Sequence, residues 1–180
     1  MKAPHRLETQ RLVLRKPELA DAGAIYGRYA GDVEVTRFLG WPRHLSVGDT
    51  QAFIEFSDAQ WRDYPVGPYL IESHTGTLLG GTGLACTCPD CATTGYVLSR
   101  DAWGRGYATE ALRAMVDVAR KLSIQELQAI CHAEHAASQR VLEKCGFTYN
   151  GRQAVDFPNL LGSESRMALR YALAVALPSV

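Results

Sequence analysis

The residues Trp103-Gly104-Arg105-Gly106-Tyr107-Ala108 stand between an apolar stretch ending at Leu98 and a run with helical spacing. Two glycines two positions apart let the backbone turn tightly and approach a ligand, and the first N–H groups of a helix have no carbonyl partner of their own. With the charge of Arg105 beside them, these groups outline a diphosphate site at a helix start. Alone, a Gly-x-Gly before a helix fits a plain structural turn as readily. A dinucleotide fold would need a third glycine and an acidic residue about 20 positions on. Here Ala108 and Thr109 follow, and no strand–helix–strand unit opens the chain. A Walker loop would need Gly-Lys-Ser/Thr, which the chain lacks.

A second cluster, Cys86-x-Cys88-x-x-Cys91 around Pro89, has the tight spacing of a zinc knuckle but only three thiols. The fourth ligand would have to come from His74 or a distant residue, so no metal is assigned and reduced thiols are expected. Cys145, just ahead of Gly146-Phe147, reads as packing rather than as a nucleophile.

The elements that position the glycine loop follow from apolar spacing. Residues 12–14, 69–71, 78–84, 94–98, 127–131 and 166–175 read as strands. Residues 20–30, 46–62 with Ser46 as N-cap, 106–121 and 136–144 read as helices, and turns are expected at 73–76 and 86–91. Ala111, Leu112, Met115, Val116 and Ala119 supply the buried stripe of the 106–121 helix. The order implies an α/β (α+β) mixed sheet with helices on both faces, in which strand 94–98, helix 106–121 and strand 127–131 form a parallel crossover.

At 180 residues and 47% hydrophobic, residues 1–180 are expected to form a single domain. Nineteen basic residues balance nineteen acidic ones, so the summed field favours neither nucleic acid nor an anionic membrane as partner, though a local basic groove for one anion remains open. The N-terminus has no apolar run of signal-peptide length, nothing reaches the roughly 18 apolar residues of a membrane span, and five cysteines are an odd number. A cytoplasmic protein is expected, as a monomer or homodimer. The apolar stretch at 172–177 would complete the sheet or an interface.

Residues 103–112 resemble the acyl-CoA-binding motif of the GNAT acetyltransferase superfamily, and Ala137-Ser138-Gln139-Arg140-Val141-Leu142-Glu143-Lys144-Cys145-Gly146-Phe147 resembles its second signature at the right distance. Thr9-Gln10-Arg11-Leu12 and Phe157-Pro158-Asn159 are similar to the Rim-type branch, which includes enzymes acetylating the N-termini of ribosomal proteins. The resemblance implies the GNAT fold, a central mixed sheet splayed between its fourth and fifth strands, with acetyl-CoA (coenzyme A) lying in that split. The backbone of Tyr96, Val97 and Leu98 would bond the pantetheine like an added strand. Trp103, Gly104, Arg105, Gly106, Tyr107, Ala108 and Thr109 would hold the diphosphate, chiefly by the N–H groups of residues 105–109, and the thioester would sit near Ser138.

Acetyl transfer requires a neutral amine, donors to the carbonyl oxygen as it becomes an oxyanion, and a proton for the leaving thiolate. Many relatives use a tyrosine four residues before the Gly-Phe pair as that acid, and here the position is Leu142. The resemblance gives the role to Ser138, one helical turn earlier on the same face, for which a plain helix-start serine is the alternative. His135 stands where the family often carries asparagine, and its imidazole can still donate to a pantetheine carbonyl or be an exposed loop residue. A carboxylate base would precede the strand's Gly-Tyr, but Thr93 is there. Glu134 and Asp90 are the nearest acids, of which Glu134 is retained as the candidate base, and Glu110 reads as structural.

Trp41, Phe157 and Asn159 are assigned to the acceptor pocket, whereas Phe53, Phe56, Trp61 and Tyr64 are explained as well by core packing. An N-terminal amine of pKa about 7.7 to 8.0 needs only about 1 kcal/mol to become neutral at pH 7, while lysine needs about 4.6 kcal/mol. A weak base set therefore points to a protein or peptide α-amine. A small-molecule amine (amino acid, polyamine or antibiotic) is the alternative acceptor, and a non-catalytic acyl-CoA-binding domain the alternative class.

Overall fold

The computed structural model describes residues 1–160 and 166–175. Of the expected acceptor loop at 157–165, residues 161–165 lie outside the described residues, as do residues 176 and 177 of the apolar stretch at 172–177. In chain order the elements are β1 (Arg6–Glu8), β2 (Leu12–Arg15), α1 (Ala22–Ile25), α2 (Val33–Thr36), α3 (Val47–Asp63), β3 (Pro68–Ser73), β4 (Leu78–Cys88), β5 (Cys91–Leu98), α4 (Tyr107–Lys121), β6 (Glu126–His132), α5 (Ala136–Lys144), β7 (Thr148–Ala154) and β8 (Met167–Ala174). They build one mixed sheet in the order β1-β2-β3-β4-β5-β6-β8-β7, antiparallel throughout except for β5 beside β6.

Alternation along the strands covers both faces. Tyr69 and Ile71 of β3 join the core cluster under α4, where Ala111, Leu112, Met115, Val118 and Ala119 are buried, while Leu70 turns to the cluster formed by Ile25, Tyr29, Val35 and Ile54. Helix α5 sends Leu142 into the α4 side. Helix α3 starts on a reciprocal cap, with Asp49 N–H on Ser46 Oγ at 3.3 Å and Ser46 N–H on Asp49 Oδ2 at 3.0 Å.

The expected helix at 20–30 is present without interruption but changes its winding along its length. A tight turn at Leu19–Asp21 leads into α1, and a wide turn at Tyr26–Ala30 follows, closed by Gly31 N–H on Tyr26 O at 3.0 Å. Gly31 makes this possible, since a Cβ there would meet the Tyr26 ring at 2.8 Å. Tyr29 is turned onto the sheet, where Gly81 leaves room for its hydroxyl. Strands β1 and β7 were not among the expected elements. β1 has only three residues, and β7 is a polar edge strand carrying Gly151 at φ 106°, so neither presents an apolar alternation.

The β4–β5 hairpin is longer than expected and turns at Pro89-Asp90. Cys88 and Cys91, opposite one another in register, form a disulfide, which corrects the expectation of reduced thiols at those two positions. Cys86, Cys131 and Cys145 are free thiols. His74, the candidate fourth ligand, lies with Nε2 3.2 Å from Thr9 O, and no metal-ligating cluster occurs among the described residues. Among the described residues, no helix is long and apolar enough to cross a membrane.

What matters most for the site is where parallel pairing stops. β5 meets β6 only through Cys91–Glu126, Ala92–Leu127 and Thr93–Gln128. Beyond that point β5 continues along β4 and β6 continues along β8, so the two strands part. Gly80 lets β4 hold its side of the split closely, because a Cβ there would fall 2.0 Å from Val97 O. Gly80→Ala is therefore expected to cost about 2–3 kcal/mol in a denaturant unfolding curve, as overpacking against backbone does; a variant as stable as the parent would contradict this account of the hairpin.

Candidate active site

The glycine loop is anchored at both ends. Trp103 donates from its indole to Leu98 O at 2.8 Å, tying the loop to the end of β5. Gly104 and Gly106 adopt φ 72° and 79°, the left-handed region that favours glycine. Gly106 is the N-cap of α4 and supplies no capping side chain, and the Glu110 N–H bond to Gly106 O at 3.1 Å closes the first turn. The amides ahead of Glu110 are the orphan donors of that helix start.

From the other side, Arg11 clamps the loop. It donates to Arg105 O at 2.9 Å, pairs with Glu110 at 2.7 Å, and lies over the Tyr107 ring at 4.8 Å. Glu110 also accepts from Thr9 Oγ1 at 2.6 Å and Arg11 N–H at 2.8 Å. Burial pushes its carboxyl up, but these bonds outweigh burial and hold it below the ordinary glutamate range. Glu110 is thus an ionised clamp, in keeping with the structural reading.

The split between β5 and β6 opens into one cleft of about 1280 Å³. Ser99 N–H bonds Leu79 O on β4, so by strand alternation Leu98 and Tyr96 turn their backbone groups to the opposite edge, toward the split. An edge of strand leading to a ring of helix-start amides fits an extended, amide-bearing chain that ends in a diphosphate. Trp103, Gly104 and Ala108 line this cleft, whereas Gly106 and Thr109 border a second groove shared with Arg11 and Glu110. Arg105 is exposed.

Ser138 and Leu142 of α5 both line the cleft, and Ser138 Oγ lies 2.9 Å from the Tyr96 hydroxyl. His135 also lines it, with its ring 5.1 Å from that of Phe38, and burial followed by the nearby His132 pushes its pKa down. Glu134 sits exposed on the turn after β6, its amide donating to His132 Nδ1 at 3.1 Å, so its carboxylate is not brought into this group. Asp90 lies at the far hairpin turn, and Thr93 donates to Ala85 O.

Residues 11–148 match the family model described as an acetyltransferase (GNAT) domain. The chain belongs to the GNAT acetyltransferase family. It is 30% identical over 149 residues to the uncharacterized N-acetyltransferase YoaA of Bacillus subtilis, an alignment covering 81% of this chain and 84% of that one. Its fold superposes on the ribosomal L7/L12 alpha-N-protein acetyltransferase RimL in complex with coenzyme A, with a TM-score of 0.80 and 22% identity over 93% of this chain and 96% of the other. It superposes also on the microcin C7 self-immunity acetyltransferase MccE in complex with acetyl-CoA and AMP, with a TM-score of 0.83 and 19% identity over 96% and 98% of the two chains.

In this GNAT enzyme the far part of the cleft has an aromatic wall. Phe38 stacks on His132 at 4.5 Å, Phe157 meets His132 edge-on at 4.9 Å, and Trp41 lies 5.4 Å from His44. His44 is oriented by Thr50 Oγ1 at 2.8 Å, and burial pushes its pKa down despite Asp49 nearby. Among the described residues, the carboxylates on this wall are an exposed Glu34 and Asp49, which already accepts from the Leu45 and Ser46 amides.

Sequence reading missed Phe38, His44, the Arg11 clamp and the Tyr96 hydroxyl. Only Arg11 had a signal, in the Thr9-Gln10-Arg11 motif; the others depend on contacts across the fold. Asn159 spends its side chain on backbone, donating to Thr36 O and Trp41 O at 2.8 Å each and accepting from Arg43 N–H at 2.7 Å. It holds Trp41 in the wall. Asn159→Ala is expected to cost about 2–3 kcal/mol of unfolding free energy by leaving those groups unpaired, and a loss below about 0.5 kcal/mol would contradict the clamp.

Proposed function

We propose that this enzyme transfers acetyl from acetyl-CoA to a primary amine of low pKa, foremost the α-amine of a protein or peptide N-terminus, in the manner of the Rim-type branch. The reading rests chiefly on the bases that line the cleft, the imidazoles His44 and His135, whose pKa burial pushes down. Imidazoles lowered in this way are weak bases, which is enough for an amine that needs about 1 kcal/mol to be neutral at pH 7 but poorly matched to a lysine that needs roughly 4.6 kcal/mol. The aromatic wall formed by Phe38, Trp41 and Phe157 suits an apolar group beside the amine. The fold shared with an α-N-protein acetyltransferase points the same way.

Acetyl-CoA, when bound, supplies the acyl group and a thiolate as leaving group. The strand edge at Tyr96 and the Leu98 N–H would hold its pantetheine, the Leu98 carbonyl being taken by Trp103, and the amides of residues 105–109 its diphosphate. Ser138 is the hydroxyl donor for the leaving sulfur. Leu142 keeps that end of α5 apolar, which strengthens any hydrogen bond made there. Glu134 is retained only as an acceptor through water, given its exposure. The assembly is expected to work in the cytoplasm.

The deciding experiment is an amine panel at neutral pH. Peptides with a free N-terminus are expected to react on the order of 100-fold faster in kcat/KM than Nα-blocked lysine peptides or polyamines, with a pH profile levelling near the α-amine pKa of about 8. A preference for lysine or polyamine, or a rate still climbing above pH 9, would overturn the reading. Ser138→Ala is expected to lower kcat by about 100-fold with little change in acetyl-CoA affinity; full turnover would remove the serine from the reaction.

A further inference from the structure

The family's usual tyrosine donor is replaced here by Leu142, yet a tyrosine hydroxyl does reach the place where Ser138 would act. Tyr96 sits on β5 three residues past Thr93, the last residue paired with β6, on the wall of the split opposite α5. Its hydroxyl spans the opening to α5 and lies 2.9 Å from Ser138 Oγ and 3.0 Å from Ser138 O. We infer that Tyr96 is a positioning residue for acetyl transfer, whose hydroxyl fixes Ser138 Oγ and frees the serine proton for the leaving sulfur.

The number of protons shared by the two hydroxyls is the constraint. Tyr96 has one to donate and Ser138 offers it two acceptors, its hydroxyl and its carbonyl. When Tyr96 donates to the carbonyl, the serine proton is drawn back onto the tyrosine oxygen and is spent. When Tyr96 donates to Ser138 Oγ, that oxygen's own proton is released toward the cleft, and it donates more strongly because its oxygen is already accepting a bond. The two arrangements differ by rotation of two hydroxyls and move no heavy atom. A thiolate arriving at Ser138 selects the second, since only that one presents it with a donor.

Burial keeps the tyrosine in this role. It pushes the Tyr96 hydroxyl well above the ordinary tyrosine range, against the opposing pull of the Ser138 bond, so the group stays protonated and hands no proton away. The Cys131 thiol, another partner of Ser138, is pushed up to about 11 by its own burial and stays protonated as well. Ser138 is therefore surrounded by neutral donors, and its hydroxyl is the one turned to the reaction. The Tyr96 ring packs against the main core cluster, which sets the height of the hydroxyl above the strand.

This inference rests on the reading of Ser138 as the thiolate donor, and the test separates the two. Wild type, Tyr96→Phe, Ser138→Ala and the double variant are compared in steady-state kinetics with the best acceptor of the amine panel, and acetyl-CoA affinity is measured by calorimetry. Tyr96→Phe keeps the ring and the backbone. It is expected to lower kcat about tenfold, to leave acetyl-CoA affinity and KM within about twofold, and to add no further loss to Ser138→Ala. Full kcat in Tyr96→Phe while Ser138→Ala is impaired would overturn this inference alone. So would losses that multiply in the double variant, which would make the two hydroxyls independent. Full kcat in Ser138→Ala would overturn the serine reading and this inference with it. A loss of acetyl-CoA affinity in Tyr96→Phe that accounted for the whole effect would assign the hydroxyl to shaping the cleft and also overturn the inference.

Discussion

Backbone hydrogen bonds that end too soon are the constraint on which this structure turns. After Thr93 and Gln128, β5 and β6 no longer pair, although each continues beside another neighbour. Polar backbone away from water is costly unless it is satisfied, so an edge exposed inside a sheet is a standing demand for a partner. Everything around the split answers that demand or keeps it open. Gly80 draws β4 tightly along β5, α5 lines the opening with Ser138 and Leu142, and the Tyr96 hydroxyl bridges from the strand to the helix.

The glycine loop extends the same logic at the end of β5. A strand edge satisfies a chain with alternating amides, and helix-start amides satisfy an anion, so the two sites in series define a ligand with both features. The loop's own charge contributes little to this design. Arg105 is exposed, and Arg11 is committed to Glu110, whose carboxylate is held ionised by three hydrogen-bond donors. An anion held there would thus meet mainly backbone dipoles, with side chains serving to hold the backbone still.

Local patterns made much of this legible. Helix α5 was readable residue for residue, α4 to within one residue, and Ser46 as the cap of α3, because apolar stripes and capping residues are properties of short segments. The parallel crossover followed from a strand, a helix and a strand in order. The widening of the first helix over Tyr26–Ala30 was hidden, since it goes with Tyr29 finding space over Gly81 in a distant strand. β7 was hidden because a polar edge strand has no buried face to betray it. The Cys88–Cys91 disulfide needed the hairpin register, which places the two residues opposite one another. Within the site, Ser138 and the loop are legible through the resemblance to the family's motifs, whereas the Tyr96 hydroxyl, Phe38 and His44 gain their meaning only from partners far away in the chain. Asn159 was legible as a position but not as a loop clamp on Trp41.

On this reading acetyl-CoA completes the sheet at the split and the helix start beyond it. Amide hydrogen exchange, followed residue by residue with and without saturating acetyl-CoA, addresses this most directly. New protection is expected to concentrate at residues 94–98 and 104–109, with the β1–β2 edge unchanged. Saturating acetyl-CoA that left both segments exchanging as in the free enzyme would contradict it.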